Sequence, residues 1–220
     1  LETGCFSAEG EKLVGEMIAA GYPLKAVYAL DSWESPDTSI EVTRIEAFEL
    51  EKMSMLQTPN QVLAVAMMPQ QEKALDLAGQ LTLVLDGIQD PGNMGTIIRT
   101  ADWFGIRQIV ASEDTADVYN PKVIGATMGS FMRVSVTYKH LADWMPTVKL
   151  PVYGALLAGE NIFTTKAPNG GLLVIGSEGK GIRENILDQI THPVTIPKIG
   201  GAESLNAGVA AGIIIAQLTR

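Results

Sequence analysis

Apolar positions along the chain change period repeatedly, and each change marks an element. Between residues 10 and 20, Leu13, Val14, Met17 and Ile18 recur at helical spacing, and Gly21 stands where a helix end favours glycine. Residues 26–30 then read as a strand, 32–38 as a polar loop, 40–45 as a second strand, 47–56 as a helix and 61–67 as a strand. Residues 69–80 are polar and charged, which predicts a linker over 71–80. From residue 81 the periods alternate. Strands are predicted at 81–85, 108–111, 133–136, 152–157, 172–175 and 194–196, and helices at 94–104, 121–128, 141–145, 183–189 and 205–218. Alternation of this kind specifies an α/β chain whose parallel sheet is covered on both faces. The pattern therefore divides into a small α/β domain at 1–70, the linker, and a parallel-sheet domain at 81–220.

Glycine-rich segments follow three of the predicted strands. They are Pro91-Gly92-Asn93-Met94-Gly95-Thr96-Ile97-Ile98-Arg99-Thr100-Ala101-Asp102, then Ile175-Gly176-Ser177-Glu178-Gly179-Lys180-Gly181, then Ile196-Pro197-Lys198-Ile199-Gly200-Gly201-Ala202-Glu203-Ser204-Leu205-Asn206. Segments that follow parallel strands lie at one carboxyl edge of the sheet, where open α/β folds bind ligands. Each key residue also has a purely structural explanation. Asn93 can cap the following helix and Arg99 can pair with Asp102. Glu178 can be a solvated loop residue, Ser204 a helix cap, and Ile196 and Leu205 core.

Composition narrows the chemistry. With 220 residues, 46% of them hydrophobic, the chain can bury one large core or two small ones. Cys5 is the single cysteine, which excludes an intrachain disulfide and a thiolate metal cluster and fits a reducing, cytoplasmic setting. His140 and His192 lack ligand-like spacing, so no metal is expected. The longest apolar stretch, 207–216, is far short of the ~20 residues of a membrane span, and the start shows no signal-peptide pattern. A first residue other than Met is expected to reflect a trimmed or incomplete N-terminus. The net charge of −9 rules out a broad basic face. It is uneven: residues 1–80 carry 5 basic and 13 acidic side chains, whereas 81–220 carry 11 and 12. Arg99, Lys122, Arg133, Lys180, Arg183 and Lys198 lie in or near the glycine-rich segments, so a local basic site is compatible with an acidic protein.

In this order, the three segments resemble the motifs of SpoU-type (TrmH-like) RNA ribose 2′-O-methyltransferases of the SPOUT superfamily. The resemblance implies a catalytic domain with a C-terminal trefoil knot, preceded by a small L30e-like substrate-binding domain, whose most recognisable piece here is residues 6–12. It implies S-adenosylmethionine as cofactor, bound through Gly176, Ile196 and Leu205. It also implies a catalytic pocket of Asn93, Arg99, Glu178, Ser204 and Asn206, with Arg99 acting on the ribose 2′-hydroxyl. The expected partners are a ribosomal or transfer RNA substrate and a second copy of the chain, joined through the terminal helix. Two positions depart from the family pattern. Lys198 replaces the usual Met after the Ile-Pro pair, and Asn206-Ala207-Gly208-Val209-Ala210 replaces Asn-Val-Ser-Val-Ala.

Two other functions compete at this level. A catalytically inactive SPOUT-like module that binds RNA or cofactor is favoured by the acidic first half. A Rossmann dehydrogenase is disfavoured, because residues 176–181 lack the Gly-x-Gly-x-x-Gly spacing and no such fingerprint follows the first strand.

Overall fold

The computed structural model describes residues 4–56, 58–69 and 74–220. Its first unit runs β1 (Cys5–Glu9), α1 (Glu11–Ala19), β2 (Leu24–Ala29), β3 (Thr43–Arg44), α2 (Ala47–Met53) and β4 (Val62–Met67). These strands form a four-stranded sheet ordered β1-β4-β2-β3, antiparallel except where β3 joins β2. α1 ends as its sequence predicts. Gly21 adopts φ 64°, its amide donates to the Ile18 carbonyl and the Tyr22 amide to that of Met17, a geometry open to glycine because it has no Cβ.

Some boundaries differ from the pattern. β1 was not predicted, because Ser7 and Glu9 interrupt its short apolar run. The strand expected over 40–45 shrinks to Thr43–Arg44, an exposed sheet edge where only two residues find a partner on β2. The helix expected over 47–56 stops at Met53, since Glu9 accepts hydrogen bonds from the Ser54 hydroxyl and the Met55 amide and draws the chain out of helix. Of the expected linker, residues 71–73 lie outside the described residues. Residues 74–80 are irregular and are tied down by the Gln108 side chain, which both donates to and accepts from the Asp76 backbone at 3.0 Å.

The second unit continues with β5 (Leu81–Asp86), α3 (Pro91–Trp103), β6 (Gln108–Ser112), α4 (Pro121–Thr127), β7 (Ser135–Lys139), α5 (Leu141–Trp144), β8 (Val152–Asn161), β9 (Gly171–Gly176), α6 (Glu184–Leu187), β10 (His192–Thr195) and α7 (Ala207–Leu218). Its six strands are all parallel, in the order β10-β8-β9-β5-β6-β7. β5 is buried along its whole length, as a central parallel strand must be. Leu83 and Leu85 face one layer, containing α3, α4 and α7, while Val84 faces the other, containing α5 and α6. The parallel α/β architecture predicted from alternation is therefore the architecture found.

The two units share a core. Phe6, Ala8, Leu13, Met17 and Ala66 of the first belong to the same buried cluster as the α3, α4 and α7 side chains of the second. At the junction the Phe6 ring lies 4.9 Å from Tyr119 and 5.6 Å, edge-on, from Phe131, with Tyr22 5.7 Å from Phe131. Offset and edge-to-face pairs of this kind add to the gain from burying the rings. Replacing Phe6, only 5% exposed, by alanine is expected to cost about 3–5 kcal/mol in urea unfolding. A loss below about 1 kcal/mol would mean that the units do not depend on this junction.

Candidate active site

Loops leave the carboxyl edge of the six-stranded sheet, and three of them meet in one chain of hydrogen bonds. Asp86 at the end of β5 is in register with Gly176 at the end of β9, so the turn entering α3 and the loop leaving β9 begin side by side. Asp90 caps α3, its Oδ1 accepting the Asn93 backbone N–H at 2.8 Å, with Pro91 in the first helical turn where a missing N–H costs nothing. Asn93 is therefore inside the helix rather than its cap, and its side chain is released for another task. Asn93 is 9% exposed. Its Nδ2 donates to Glu178 Oε1, and its Oδ1 accepts from Asn206 Nδ2 at 2.8 Å.

Asn206 in turn caps α7, its Oδ1 accepting the Val209 N–H at 3.2 Å. The cap expected of Ser204 is made here instead, because Asn206 is the residue immediately before the helix and carries the extended backbone of a cap (φ −54°, ψ 138°). The three side chains thus form a directed relay from the α7 amides through Asn206 and Asn93 to the Glu178 carboxylate. A carboxylate can only accept, so Glu178 dictates which way the Asn93 amide faces, and Asn93 then dictates Asn206. Hydrogen bonds to a charged group are worth about 1.5–3 kcal/mol each, which makes the last link the strongest.

Arg99 lies six residues along α3 from Asn93, about 9 Å by helical rise. The ion pair with Asp102 that its spacing allows is not made. Arg133 takes Asp102 through Nη2 at 2.7 Å and Nε at 2.9 Å, and the Ser130 hydroxyl adds a bond at 2.7 Å. Burial pushes the Asp102 carboxyl up, but Arg133 and Ser130 outweigh it and hold the group below the usual carboxylate range. Among the described residues Arg99 has no hydrogen-bond or ion-pair partner, and its guanidinium is exposed on the same side of α3 as Thr96 and Trp103.

The remaining expected site residues are distributed around this relay. Gly176 is half-buried, and a Cβ there would overlap the backbone of Gly181 and Ile182. Its smallness serves first to let the loop after β9 fold back, with Ser177 and Gly181 exchanging backbone hydrogen bonds at 3.2 and 2.8 Å. Ile196 is half-buried against the main core. Ser204 is exposed and Leu205 is 46% exposed, in the irregular stretch 196–206 that also displays Ile199. Leu157, 86% exposed, stands beside this stretch, its carbonyl accepting the Thr195 hydroxyl at 3.2 Å. Asn93, Glu178 and Asn206 are joined by contact; Arg99, Ser204, Ile196 and Leu205 make no bond to them.

Two polar residues at this edge are not among the expected site residues, though Arg183 is one of the basic groups near the segments. Asp86 is buried and receives Arg183 Nε at 2.6 Å. Arg183 carried only its charge and its place beside the second segment as a signal, since nothing in spacing links it to a carboxylate 97 positions away. Of the basic groups near the segments, Arg133 and Arg183 are therefore engaged in ion pairs, whereas Arg99 of α3 has no ion-pair partner among the described residues. Among the described residues no cluster of three or more His, Cys, Asp or Glu could hold a metal ion, and no helix is long and apolar enough to cross a membrane.

Comparison with known proteins gives this arrangement its family. Residues 80–216 match the SpoU rRNA Methylase family, and residues 1–64 match the MRM3-like substrate binding domain. The 23S rRNA (guanosine(2553)-2′-O)-methyltransferase RlmP of Bacillus subtilis is 32% identical, with 99% of this chain and 89% of that protein covered. The 23S rRNA (guanosine-2′-O-)-methyltransferase RlmB of Coxiella burnetii is 33% identical over 64% of this chain, which spans only 58% of that protein. Among solved structures, a TrmH-family protein from Porphyromonas gingivalis is 38% identical with a TM-score of 0.86, covering 99% of this chain and 90% of its own. An AdoMet-bound rRNA methyltransferase from Sinorhizobium meliloti is 25% identical with a TM-score of 0.83, covering 99% and 87%. With the matched region spanning all six strands of the parallel sheet and most of α7, the chain belongs to the SpoU rRNA methylase family.

Proposed function

We propose that this chain is an S-adenosylmethionine-dependent methyltransferase that acts on the 2′-oxygen of a ribose in ribosomal or transfer RNA. The observation that carries the reading is Arg99, exposed and without a partner among the described residues, on the helix whose Asn93 is locked to Glu178 and Asn206. The rRNA-methylating relatives favour ribosomal RNA. An inactive binding module is the poorer account, because the relay is complete and the arginine is unspent.

The residues present fit the cofactor. Leu157, Ile199 and Leu205 offer exposed apolar surface along the 196–206 stretch, and Gly200 and Gly201 have open space where side chains would stand. A flat adenine and an aliphatic methionyl chain need apolar contact plus unpaired backbone groups, which this stretch supplies. Gly176, Ile196 and Leu205 are the residues we assign to holding it. When bound, S-adenosylmethionine supplies an electrophilic methyl group and takes up the electron pair of the broken carbon–sulfur bond. The ribose hydroxyl is a poor nucleophile and must lose its proton, which passes to solvent water, as it attacks. A guanidinium is a cation rather than a general base, so the part assigned to Arg99 is to stabilise the developing alkoxide and to hold an adjacent phosphate. Glu178 orients the Asn93 and Asn206 amides, and we assign Ser204, exposed two residues before Asn206, to the same pocket.

The first unit, residues 1–70, is assigned to substrate recognition, with 71–80 as the connection to the catalytic unit at 81–220. The trefoil knot belongs to the same reading, with 196–206 as the segment it would thread. We assign the protein to the cytoplasm, because its rRNA-methylating relatives are bacterial enzymes. We also assign a homodimer to this reading. α7 and α3 run side by side, Gly208 against Thr96 and Gly212 against Thr100. Their outward faces carry Val209 at 50% and Trp103 at 85% exposure, an apolar surface that a second copy would cover.

Arg99→Ala is expected to lower kcat at least a hundredfold, about 2.7 kcal/mol of transition-state stabilisation, while S-adenosylmethionine affinity by calorimetry stays within about threefold. Near-normal turnover would remove Arg99 from the chemistry. Light scattering at micromolar concentration is expected to give about twice the 23.5 kDa chain mass, and Trp103→Glu to shift it toward the monomer. An active wild-type monomer would sink the dimer.

A further inference from the structure

Asp86 is an unusual residue to find at the centre of a parallel sheet. It closes β5, whose other side chains are apolar but for Thr82, and its own side chain is wholly buried. Its two oxygens are both used by one partner. Oδ2 accepts the Arg183 backbone N–H at 2.8 Å, and Oδ1 accepts Arg183 Nε at 2.6 Å and Nη2 as well. Arg183 extends on to Asp114, Nη2 to Oδ1 at 3.4 Å. Asp114 accepts the Ser112 hydroxyl at 2.6 Å, and Ser112 accepts the Gly87 amide at 2.9 Å. The Ser112 hydroxyl holds the Asp114 carboxyl below the usual carboxylate range, with Arg183 adding to the effect, and Asp86 holds the Arg183 guanidinium above its ordinary value.

The placement of this pair matters more than its strength. Gly176 is Asp86's register partner on β9, and Arg183 is bound to Asp86 through both its backbone and its side chain. The loop between them therefore starts and ends on the same residue. Within it, the Ser177–Gly181 bonds and the tight fit of Gly176 against Gly181 and Ile182 leave little freedom, and Ile182 is 5% exposed in the core. Glu178, the acceptor that orders Asn93 and Asn206, projects from this closed loop. Asp86 is fully buried while the Arg183 side chain is 43% exposed, so solvent screens the attraction on one side and desolvation of the carboxylate offsets much of the rest, which makes the pair a poor source of stability. What such a pair does well is fix one geometry out of several, through direction-specific bonds that fail if the loop shifts.

We propose that Asp86 and Arg183 are positioning residues for methyl transfer, clamping both roots of the Glu178 loop so that the Glu178–Asn93–Asn206 relay is held in its reactive arrangement. This rests on the methyltransferase reading above. Ser112 and Asp114 are an outer support that limits where the guanidinium can swing.

The test compares Arg183→Met, Arg183→Lys and the double variant Asp86→Asn/Arg183→Met with wild type. The double variant removes both charges yet keeps an acceptor for the backbone N–H of residue 183, so it leaves no buried unpaired charge. The expected result is a kcat at least tenfold down in Arg183→Met and in the double variant, with the KM for RNA little changed. The thermal midpoint of the double variant should match wild type. Arg183→Lys should recover part of the loss, because it restores the charge without the fork. Full activity in the double variant would overturn the proposal. A second readout needs no turnover. Hydrogen exchange of the Gly181 amide, bonded to the Ser177 carbonyl, should speed up at least tenfold in Arg183→Met and in the double variant. Unchanged protection there overturns the clamp whatever the activity. Faster exchange in a chain whose wild type transfers no methyl group would instead uphold the clamp and sink the methyltransferase reading.

Discussion

Everything proposed for this site depends on Glu178 being an acceptor in a fixed place. The relay that ends on it joins residues 93, 178 and 206, which come from the first turn of α3, the loop after β9 and the cap of α7 at one sheet edge. Neither asparagine has an orientation of its own, since an amide can present either end to a neighbour. The carboxylate breaks that symmetry, and the α7 amide at Val209 confirms it from the other end. Side-chain networks of this kind work when every member is satisfied and become costly when one is not. The same relay sets the start of α7, and α7 packs along α3, so the pose of the arginine-bearing helix is tied to the carboxylate as well.

The joint between the two units is of a different kind. It is apolar and aromatic, built on Phe6, Tyr22, Tyr119 and Phe131, and it merges the cores rather than touching surfaces. Packing therefore sets how the first unit stands against the second. On the reading proposed above, in which the first unit recognises RNA, orientation comes from this packing and needs less grip on phosphate, which suits first 80 residues that carry net −8.

The parallel sheet was legible because burial on both faces writes itself as continuous apolar runs, as in Leu81-Thr82-Leu83-Val84-Leu85. The convergence of the glycine-rich segments followed from that topology. Caps were less legible. Asp90, Asn93, Ser204 and Asn206 are all competent cap residues, and only backbone geometry decides among them. β1 and the shortened β3 show how poorly short edge and interrupted strands are encoded locally. The Asp86–Arg183 pair was invisible for another reason: an ion pair spanning 97 positions leaves no periodic trace. The fate of Arg99 was likewise undecidable until Arg133 was seen to occupy Asp102.

The central claim is that the methyl group lands on a ribose oxygen. It is tested by incubating unmodified ribosomal RNA with the protein and isotopically labelled S-adenosylmethionine, then hydrolysing the RNA in alkali. Alkaline cleavage uses the 2′-oxygen as nucleophile, so a methyl there blocks the adjacent phosphodiester. The account predicts label in a single alkali-resistant dinucleotide whose methyl is on the sugar by mass spectrometry. Label recovered in a mononucleotide with a methylated base, or no label in any RNA, would contradict it.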